Sequence, residues 1–205
     1  MSDIHAPAFR SAAARPLDLV SARRGHFLLE SGYHGALWLD LDSLFCDARR
    51  LAPFVNTLAF AIRSHRVSAV CGALLGGAFL AQLVARELNV DFLFTERVMP
   101  ADASGLFRAR YRLPAALASR VAGCRIAIVD DVMSAGSALR GTATEVRAHG
   151  GDVVVAGALL VLGKSGDEYF AGQGIPVVAS ARDDYTLWVP ADCPLCANGT
   201  PLERP

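Results

Sequence analysis

The chain has 205 residues, of which 53% are apolar and 20% are charged, with 20 basic residues balanced by 20 acidic ones. This length predicts one domain with its own core, covering residues 1–205, and the apolar content excludes a disordered chain. The balanced charge argues against a nucleic-acid-coating protein, because such proteins carry an excess of positive charge.

Cysteine content and the absence of an export signal both favour the cytoplasm. The 5 cysteines are an odd number scattered along the chain, so we expect no disulfide framework and a reducing compartment. Charged residues interrupt residues 1–15, which excludes a signal peptide. The uncharged stretch 67–85 contains Ser68, Gln82 and a glycine pair, which suit a strand, turn and helix better than a membrane span. We therefore expect no membrane partner.

The first part of the chain predicts a small hood, mainly within residues 1–42. The Ala-rich residues 1 to about 22 predict a frayed helix that ends near Arg23-Arg24-Gly25. Two β-prone runs, 26–30 and 36–41, flank a glycine-containing turn and predict a hairpin. A helix follows over 51–62, because its apolar residues recur every three and four positions.

The rest of the chain alternates short apolar strands with helices. The predicted strands are 67–71, 90–95, 125–129 and 153–162, and the predicted helices are 77–88 and 136–149. Continuous apolar strands separated by helices indicate a doubly wound α/β fold whose mostly parallel sheet is covered on both faces. Two segments rich in glycine and charge, 96–112 and 164–175, are predicted to be long loops, which are often functional.

The segment 126–139 carries the strongest chemical signal. Its strand ends in Asp130 and Asp131, and a turn of small residues, Ser134–Ala138, then opens a helix. Backbone amides of such a turn can surround a phosphate, while adjacent carboxylates can accept hydrogen bonds from the hydroxyls of a sugar. The pattern therefore suggests a ribose phosphate, with a simple Asp helix cap as the alternative. It lacks the Gly-Lys-Ser/Thr of a nucleotide-triphosphate loop and the glycine spacing of a dinucleotide-binding turn.

Two further segments could handle a diphosphate. Ala73–Gly77 follows a strand and offers free amides, although a helix-packing glycine pair is the alternative interpretation. The segment 96–112 is locally basic, with Arg97, Arg108 and Arg110 among its residues. Its closure over a diphosphate would neutralise leaving-group charge and exclude water, whereas the alternative is a solvated surface loop.

Segment 126–139 resembles the signature of the type I phosphoribosyltransferases. Within that superfamily, segments 25–34, 71–81 and 94–97 resemble, in family order, the hairpin, the diphosphate loop and the mobile-loop start of the orotate phosphoribosyltransferases. The resemblance implies transfer of ribose 5-phosphate from 5-phosphoribosyl 1-diphosphate (PRPP) to orotate, giving orotidine 5′-monophosphate in pyrimidine biosynthesis. It also implies Mg²⁺ as cofactor and a homodimer with shared active sites.

The resemblance implies roles for individual residues. Catalytic residues would be Arg97, Arg108, Arg110 and Asp131. PRPP-binding residues would be Ala73, Leu74, Gly76, Gly77, Asp130, Asp131, Ser134, Ala135, Gly136, Ser137 and Ala138. Base-binding residues would be Arg23, Phe27, Trp38 and Lys164, with a core position as the alternative for Trp38.

The sequence departs from the family pattern at two places. The mobile loop contains neither Lys nor His, so its arginines must supply the positive charge. Gly163-Lys164 stands where the family usually has Asp-Arg, and a lysine lacks the planar fork that holds a carboxylate. A phosphoribosyltransferase for another base therefore remains an alternative. A non-catalytic regulator that binds PRPP or a nucleotide is a second one.

The tail, residues 190–205, contains Cys193-Pro194-Leu195-Cys196, which looks like half of a zinc knuckle. A tetrahedral zinc site needs four ligands, and we find no second such pair and no obvious histidine pair. Zinc on Cys193 and Cys196, in a site shared by two subunits, and a free or redox-active pair are both open interpretations.

Overall fold

The protein is described by a computed structural model covering residues 16–41, 43–101 and 104–205. The strands are β1 (Ser21–Leu28), β2 (His34–Asp40), β3 (Ala69–Ala73), β4 (Asp91–Val98), β5 (Arg110–Arg112), β6 (Arg125–Met133), β7 (Asp152–Leu162), β8 (Val177–Asp183) and β9 (Leu187–Trp188). The α-helices are α1 (Ala48–Arg63), α2 (Gly76–Leu88), α3 (Ala115–Ala118), α4 (Ser137–Ala148), α5 (Ser165–Ala171) and α6 (Pro194–Ala197). Two 3-10 helices cover Pro16–Leu19 and Pro190–Asp192.

The main sheet has the order β5-β4-β3-β6-β7-β8, in which all neighbours except β5 and β4 are parallel. Side chains of alternating strand residues pack on opposite faces. Val70 and Val129 lie in the core that includes α1 and α2, while Cys71 and Ile128 lie in the core that includes α4. The predicted doubly wound α/β fold is confirmed.

A second sheet, β1-β2-β9, forms the hood. The predicted hairpin is confirmed by the antiparallel pairing of β1 with β2. The predicted helix ending near residues 23–25 is wrong there, because Ser21–Leu28 is a strand that β2 holds by backbone hydrogen bonds. Within the rest of that prediction, Pro16–Leu19 forms a short 3-10 helix, and residues 1–15 lie outside the described residues.

Both predicted loops contain regular structure. In the first, β4 extends to Val98 and β5 pairs with it, so 96–112 begins and ends as a two-stranded extension of the sheet edge. In the second, α5 forms because Phe170 is fully buried and Gly166 packs closely against Met133. These tertiary contacts outweigh the polar composition that predicted loops. Across the described ranges, no helix combines the length and apolarity needed to cross a bilayer.

Candidate active site

Asp130 and Asp131 lie near the carboxyl end of β6, which is flanked by β3 on one side and β7 on the other. Each carboxylate is oriented by the backbone that follows it. The amide of Asp131 donates to Asp130 Oδ1 at 3.1 Å, and the amide of Val132 donates to Asp131 Oδ1 at 2.7 Å. The acid pair therefore has a fixed position at the central edge of the sheet, where open α/β sheets bind ligands.

A third carboxylate, Glu30 from the turn between β1 and β2, faces the pair. Burial, followed by the charges of Asp131 and Glu30, raises the pKa of Asp130 well above its usual range. Burial also raises the pKa of Asp131, against the opposing effect of its hydrogen bond from Val132. Glu30 accepts a short hydrogen bond from the Tyr111 hydroxyl and lies 3.8 Å from Arg97. The site thus concentrates negative charge that a bound ligand would have to offset.

The turn after the acids leads directly into α4. Gly136 is the N-cap residue with φ of 77°, a left-handed conformation that favours glycine. No side chain of the described residues caps α4, so its first amides are open to a ligand. The amide of Gly166 donates to the Ser134 carbonyl at 3.0 Å and anchors the turn. The helix start is open, as the sequence predicted, and its binding of a phosphate remains a prediction.

The loop Ala73–Gly77 joins β3 to α2 and lies directly against the acids. The amide of Leu74 donates to the Thr95 carbonyl at 2.9 Å, and the Leu74–Leu75 peptide bond is cis. A Cβ placed on Gly76 would lie only 1.9 Å from Asp131 Oδ2. Glycine at this position therefore permits the close approach of the loop to the carboxylates.

These elements enclose a cavity of about 610 Å³, a volume typical of small-molecule sites. The predicted residues that line it are Trp38, Ala73, Leu74, Gly76, Gly77, Asp130, Asp131, Ser134, Gly136, Ser137 and Ala138. Ala135, also predicted, is fully buried and supports the turn from behind. Sequence reasoning missed Glu30, Tyr111 and Tyr185, which line the cavity only because the hood and distant loops fold over it.

Comparison with known proteins decides the family. No family model matches this chain. It is 30% identical over 181 residues to the orotate phosphoribosyltransferase of Thermotoga petrophila, covering 88% of this chain and 89% of that protein. The chain belongs to the orotate phosphoribosyltransferase family. It is also 29% identical over 182 residues to the orotate phosphoribosyltransferase of Caldanaerobacter subterraneus subsp. tengcongensis, covering 89% of this chain and 88% of that one.

Solved structures agree with this family at the level of the fold. The orotate phosphoribosyltransferase from Aeropyrum pernix superposes with a TM-score of 0.60 at 24% identity, covering 78% of this chain and 87% of that one. The adenine phosphoribosyltransferase from Thermoanaerobacter pseudethanolicus gives 0.62 at 18% identity, covering 80% of this chain and 96% of that one. Both support the α/β architecture, which the family shares with enzymes for other bases.

The loop arginines named for the family's mobile loop are placed beside the cavity rather than in its wall. Arg97 is exposed and pairs with Glu30. Arg110 lines a neighbouring cavity of about 540 Å³, and Ser137 borders both cavities. Arg108 is partly buried, with an Nε that has no hydrogen-bond partner among the described residues. Their catalytic roles remain predictions.

The loop itself is held on the hood. The amide of Phe107 donates to the Ser31 carbonyl at 2.8 Å, and its ring lies 5.9 Å from that of Tyr33. On its other side, the Arg140 guanidinium lies 4.3 Å from the centre of the Phe107 ring and 3.9 Å from that of Tyr169. Arg140 therefore connects the loop to α5 through cation–π contacts.

The four residues named for base binding occupy different environments. Trp38 lines the cavity, and Phe27 is fully buried behind it, with 6.3 Å between the ring centres. Arg23 pairs with Glu203 at 3.3 Å, and Lys164 is exposed just before α5. Arg23, Phe27 and Lys164 are not among the described residues that line the cavity. Their contact with a base stays a prediction.

The tail cysteines correct one inference from the sequence. Cys193 and Cys196 lie beside His26 and His34, so a histidine pair does accompany them within the same chain. The histidine pair was not predictable from the sequence, because His26 and His34 lie on different strands of the hairpin and far from the cysteines along the chain.

Proposed function

We propose that this protein transfers the 5-phosphoribosyl group of PRPP to N1 of orotate, releasing diphosphate and forming orotidine 5′-monophosphate for pyrimidine nucleotide synthesis. One observation carries the proposal: a fixed pair of carboxylates lies between two open amide-rich turns in a single cavity. Family membership supports the same reaction.

The cavity offers a separate place for each part of PRPP. The 5-phosphate would bind the open amides and hydroxyls of Ser134–Ala138 at the start of α4. The ribose hydroxyls would donate to Asp130 and Asp131, whose carboxylate oxygens can accept several hydrogen bonds. The diphosphate would lie against the backbone of Ala73–Gly77.

The reaction breaks the bond between C1 of the ribose and the diphosphate oxygen and forms a bond from C1 to N1 of the base, which releases its N1 proton. Positive charge develops on the ribose as the bond to the diphosphate lengthens, and the carboxylate of Asp131 would stabilise this charge. The departing diphosphate takes the electron pair and gains negative charge. Arg97, Arg108 and Arg110 would offset this charge when the loop closes over the cavity.

We propose Mg²⁺ as the cofactor, brought in with PRPP. The donor set suits it, because Glu30, Asp130 and Asp131 gather hard carboxylate oxygens in one site, where burial and then the charges of Asp131 and Glu30 raise the pKa of Asp130. The ion would be held mainly by oxygens of PRPP and by water, and Asp130 and Asp131 would be the nearby protein carboxylates. When bound, it neutralises diphosphate charge.

The residues named for base binding differ in their relation to the cavity. Trp38 supplies an apolar wall, but Lys164, the residue named for the orotate carboxylate, lies outside the cavity lining. This observation favours one second candidate, a phosphoribosyltransferase for another base.

The decisive experiment measures Mg²⁺-dependent diphosphate release from PRPP with orotate, uracil, adenine, guanine and hypoxanthine offered separately. We expect release with orotate alone. Release with a different base would keep the transferase and overturn its specificity. PRPP binding without release in any of the five reactions would favour the non-catalytic regulator.

We further propose a homodimer whose subunits share active sites. Exposed apolar side chains on α1 and α2, including Phe60 and Phe79, provide surface that pairing would cover. Sedimentation velocity gives the oligomeric state. Mixing an inactive Asp131→Asn chain with an inactive Arg97→Ala chain then tests sharing, because a trans arrangement restores activity on subunit exchange and a cis arrangement does not.

A further inference from the structure

Four side chains that can bind metal meet between the hood and the tail. His26, His34, Cys193 and Cys196 each offer one ligand atom, and these four atoms all lie within 4.8 Å of one another. The first three residues are buried and Cys196 is exposed. They are neither part of the cavity lining nor needed for the proposed transfer reaction.

The spacing of the ligand atoms is close to that of a tetrahedral site. The Nε2 of His26 lies 3.0 Å from the Nδ1 of His34 and 3.5 Å from the Sγ of Cys193. The Sγ of Cys196 lies 3.7 Å from His26 Nε2 and 3.3 Å from His34 Nδ1. Zinc bonds of about 2.0–2.1 Å to nitrogen and about 2.3 Å to sulfur place tetrahedral ligand atoms roughly 3.3–3.8 Å apart.

The fold brings these residues together from three places. His26 lies in β1 at a register shift between Arg24 and Phe27. This shift marks a bulge, and bulges change the direction of the side chains they contain. His34 begins β2 and pairs with Trp188 of β9, which leads into the tail. Cys193 and Cys196 are spaced three residues apart at the first turn of α6, so their sulfur atoms share one face.

Hydrogen bonding already directs one histidine toward the centre of the cluster. His26 Nδ1 lies 2.8 Å from the carbonyl oxygen of Thr200, which can only accept, so Nδ1 carries the proton. The lone pair of Nε2 is therefore free to bind a metal. In metal-bound histidines, the N–H of the other ring nitrogen commonly donates a hydrogen bond to a backbone carbonyl in this way.

We propose that His26, His34, Cys193 and Cys196 form a structural Zn²⁺ site that fastens the tail to the hood. Two thiolates and two neutral imidazoles balance the charge of a divalent ion, which permits burial of the site. With all four positions filled by protein, the ion has no open position for substrate.

Neighbouring contacts indicate what the ion would stabilise. Beyond the cluster, Glu203 exchanges backbone hydrogen bonds of 2.8 and 2.9 Å with His26 and Leu28 of β1. Two residues later, Pro205 forms part of the cavity lining. The site would thus hold a segment of cavity wall against the hairpin that carries Glu30.

The test is metal content of the full chain, freed of any affinity tag, desalted without a strong chelator and assayed without substrate. Plasma mass spectrometry should find about one Zn²⁺ per chain. The Cys193→Ser/Cys196→Ser double variant should lose at least about tenfold of it. The matched control is Cys124→Ser, whose thiol donates to the Arg120 carbonyl at 3.2 Å and which should retain the ion.

Replacement of zinc by Co²⁺ reports the coordination geometry of the metal. It is measured first in the wild-type chain, so it does not depend on how well a variant folds. Co²⁺ in the wild-type chain should give the strong visible bands of tetrahedral coordination and a sulfur-to-metal charge-transfer band, both weakened by the single Cys196→Ser change at the exposed ligand. A metal-free wild type, equal zinc in the double variant, or a Cys193–Cys196 disulfide in the freshly isolated protein would each overturn the site. None of these results depends on transferase activity.

Discussion

The acidic cavity and the cysteine–histidine cluster both gather polar side chains, yet they differ in ligand type and charge. The cavity holds three carboxylates, and burial followed by the repulsion among them raises the pKa of Asp130. The cluster combines imidazoles with soft sulfur atoms, which together can neutralise one divalent ion. The first arrangement is incomplete until substrate arrives, whereas the second can be completed permanently by a metal.

This difference indicates how the protein divides its work. Crowded carboxylates lower the stability of the empty site and favour a ligand that brings hydroxyls and cations. A closed four-ligand site favours rigidity and offers no position for exchange with substrate. Changes in the cavity should therefore act mainly on catalysis, and changes in the cluster mainly on stability.

The largest effect is expected for Asp131→Asn. Loss of the carboxylate beneath the reacting ribose should lower kcat/KM for PRPP by about 10²–10³-fold, while circular dichroism stays unchanged. Asp183→Asn is the matched control, because Asp183 also ends a parallel strand and accepts a backbone amide, at 2.9 Å, from the next residue. Equal losses in the two variants would refute a specific role for Asp131.

Metal removal should mainly reduce stability. At a free zinc concentration about a few hundred times the dissociation constant, bound zinc adds about 3 kcal/mol to the free energy of unfolding. A strong chelator should remove this contribution and lower the Tm by roughly 6–12 °C. The chelator should leave the Tm of the Cys193→Ser/Cys196→Ser variant unchanged. Scanning calorimetry measures both, and a chelator effect of equal size in that variant would contradict the comparison.

Gly76→Ala should perturb the cavity at a crowded contact with the acid pair. The new methyl group would lie 1.9 Å from Asp131 Oδ2, so either the loop or the acid must move. We expect a cost of about 1–3 kcal/mol, expressed as a higher KM for PRPP. Gly172→Ala is the control, since the nearest atom to its Cβ would be the Glu168 carbonyl oxygen at 3.4 Å. An unchanged KM would place the diphosphate elsewhere.

The smallest effect concerns pH and the empty cavity. Because the pKa of Asp130 is raised in the folded protein, the native state binds its proton more tightly than the unfolded chain does. The free energy of unfolding should therefore fall as pH rises from the usual carboxyl pKa, about 3.9, through the raised value.

Asp130→Asn should remove this contribution and stabilise the ligand-free protein near neutral pH by about 1 kcal/mol. Urea unfolding measured across the acidic to neutral range checks the slope. Asp152→Asn serves as the control, because Asp152 is exposed and pairs with Arg125 at 3.4 Å. A wild-type slope retained in Asp130→Asn would show that other groups cause the dependence.

Most of the cavity was predictable because its parts are contiguous in the chain. Two segments combine a strand end with a short run of small residues: the acids with the turn Ser134–Ala138, and the end of β3 with the loop Ala73–Gly77. Parallel topology brings these strand ends together. Glu30 and Tyr111 were not predictable in the same way. Their positions depend on how the hood and the β4–β5 extension fold over the sheet edge.

The errors have a common physical cause. Composition suggested helix before residue 25 and loops over 96–112 and 164–175, but β1 and β5 are stabilised by pairing with β2 and β4, and α5 by packing against Met133. The same cause hid the histidine partners of Cys193 and Cys196, since no local spacing relates the hairpin to the tail. Single-sequence patterns report local preference, which such contacts override.

The separation of the cluster along the chain also orders events during synthesis. His26 leaves the ribosome long before Cys193, which lies 167 residues later and follows every strand of the main sheet. The α/β core can therefore form while the hairpin still lacks its cysteines. Joining of hood and tail is a contact of high sequence separation and must come late. During this interval the nascent chain would have His26 and His34 without their cysteine partners. Zinc binding at the proposed site would then be the final step of maturation, and it would depend on the supply of zinc in the cell.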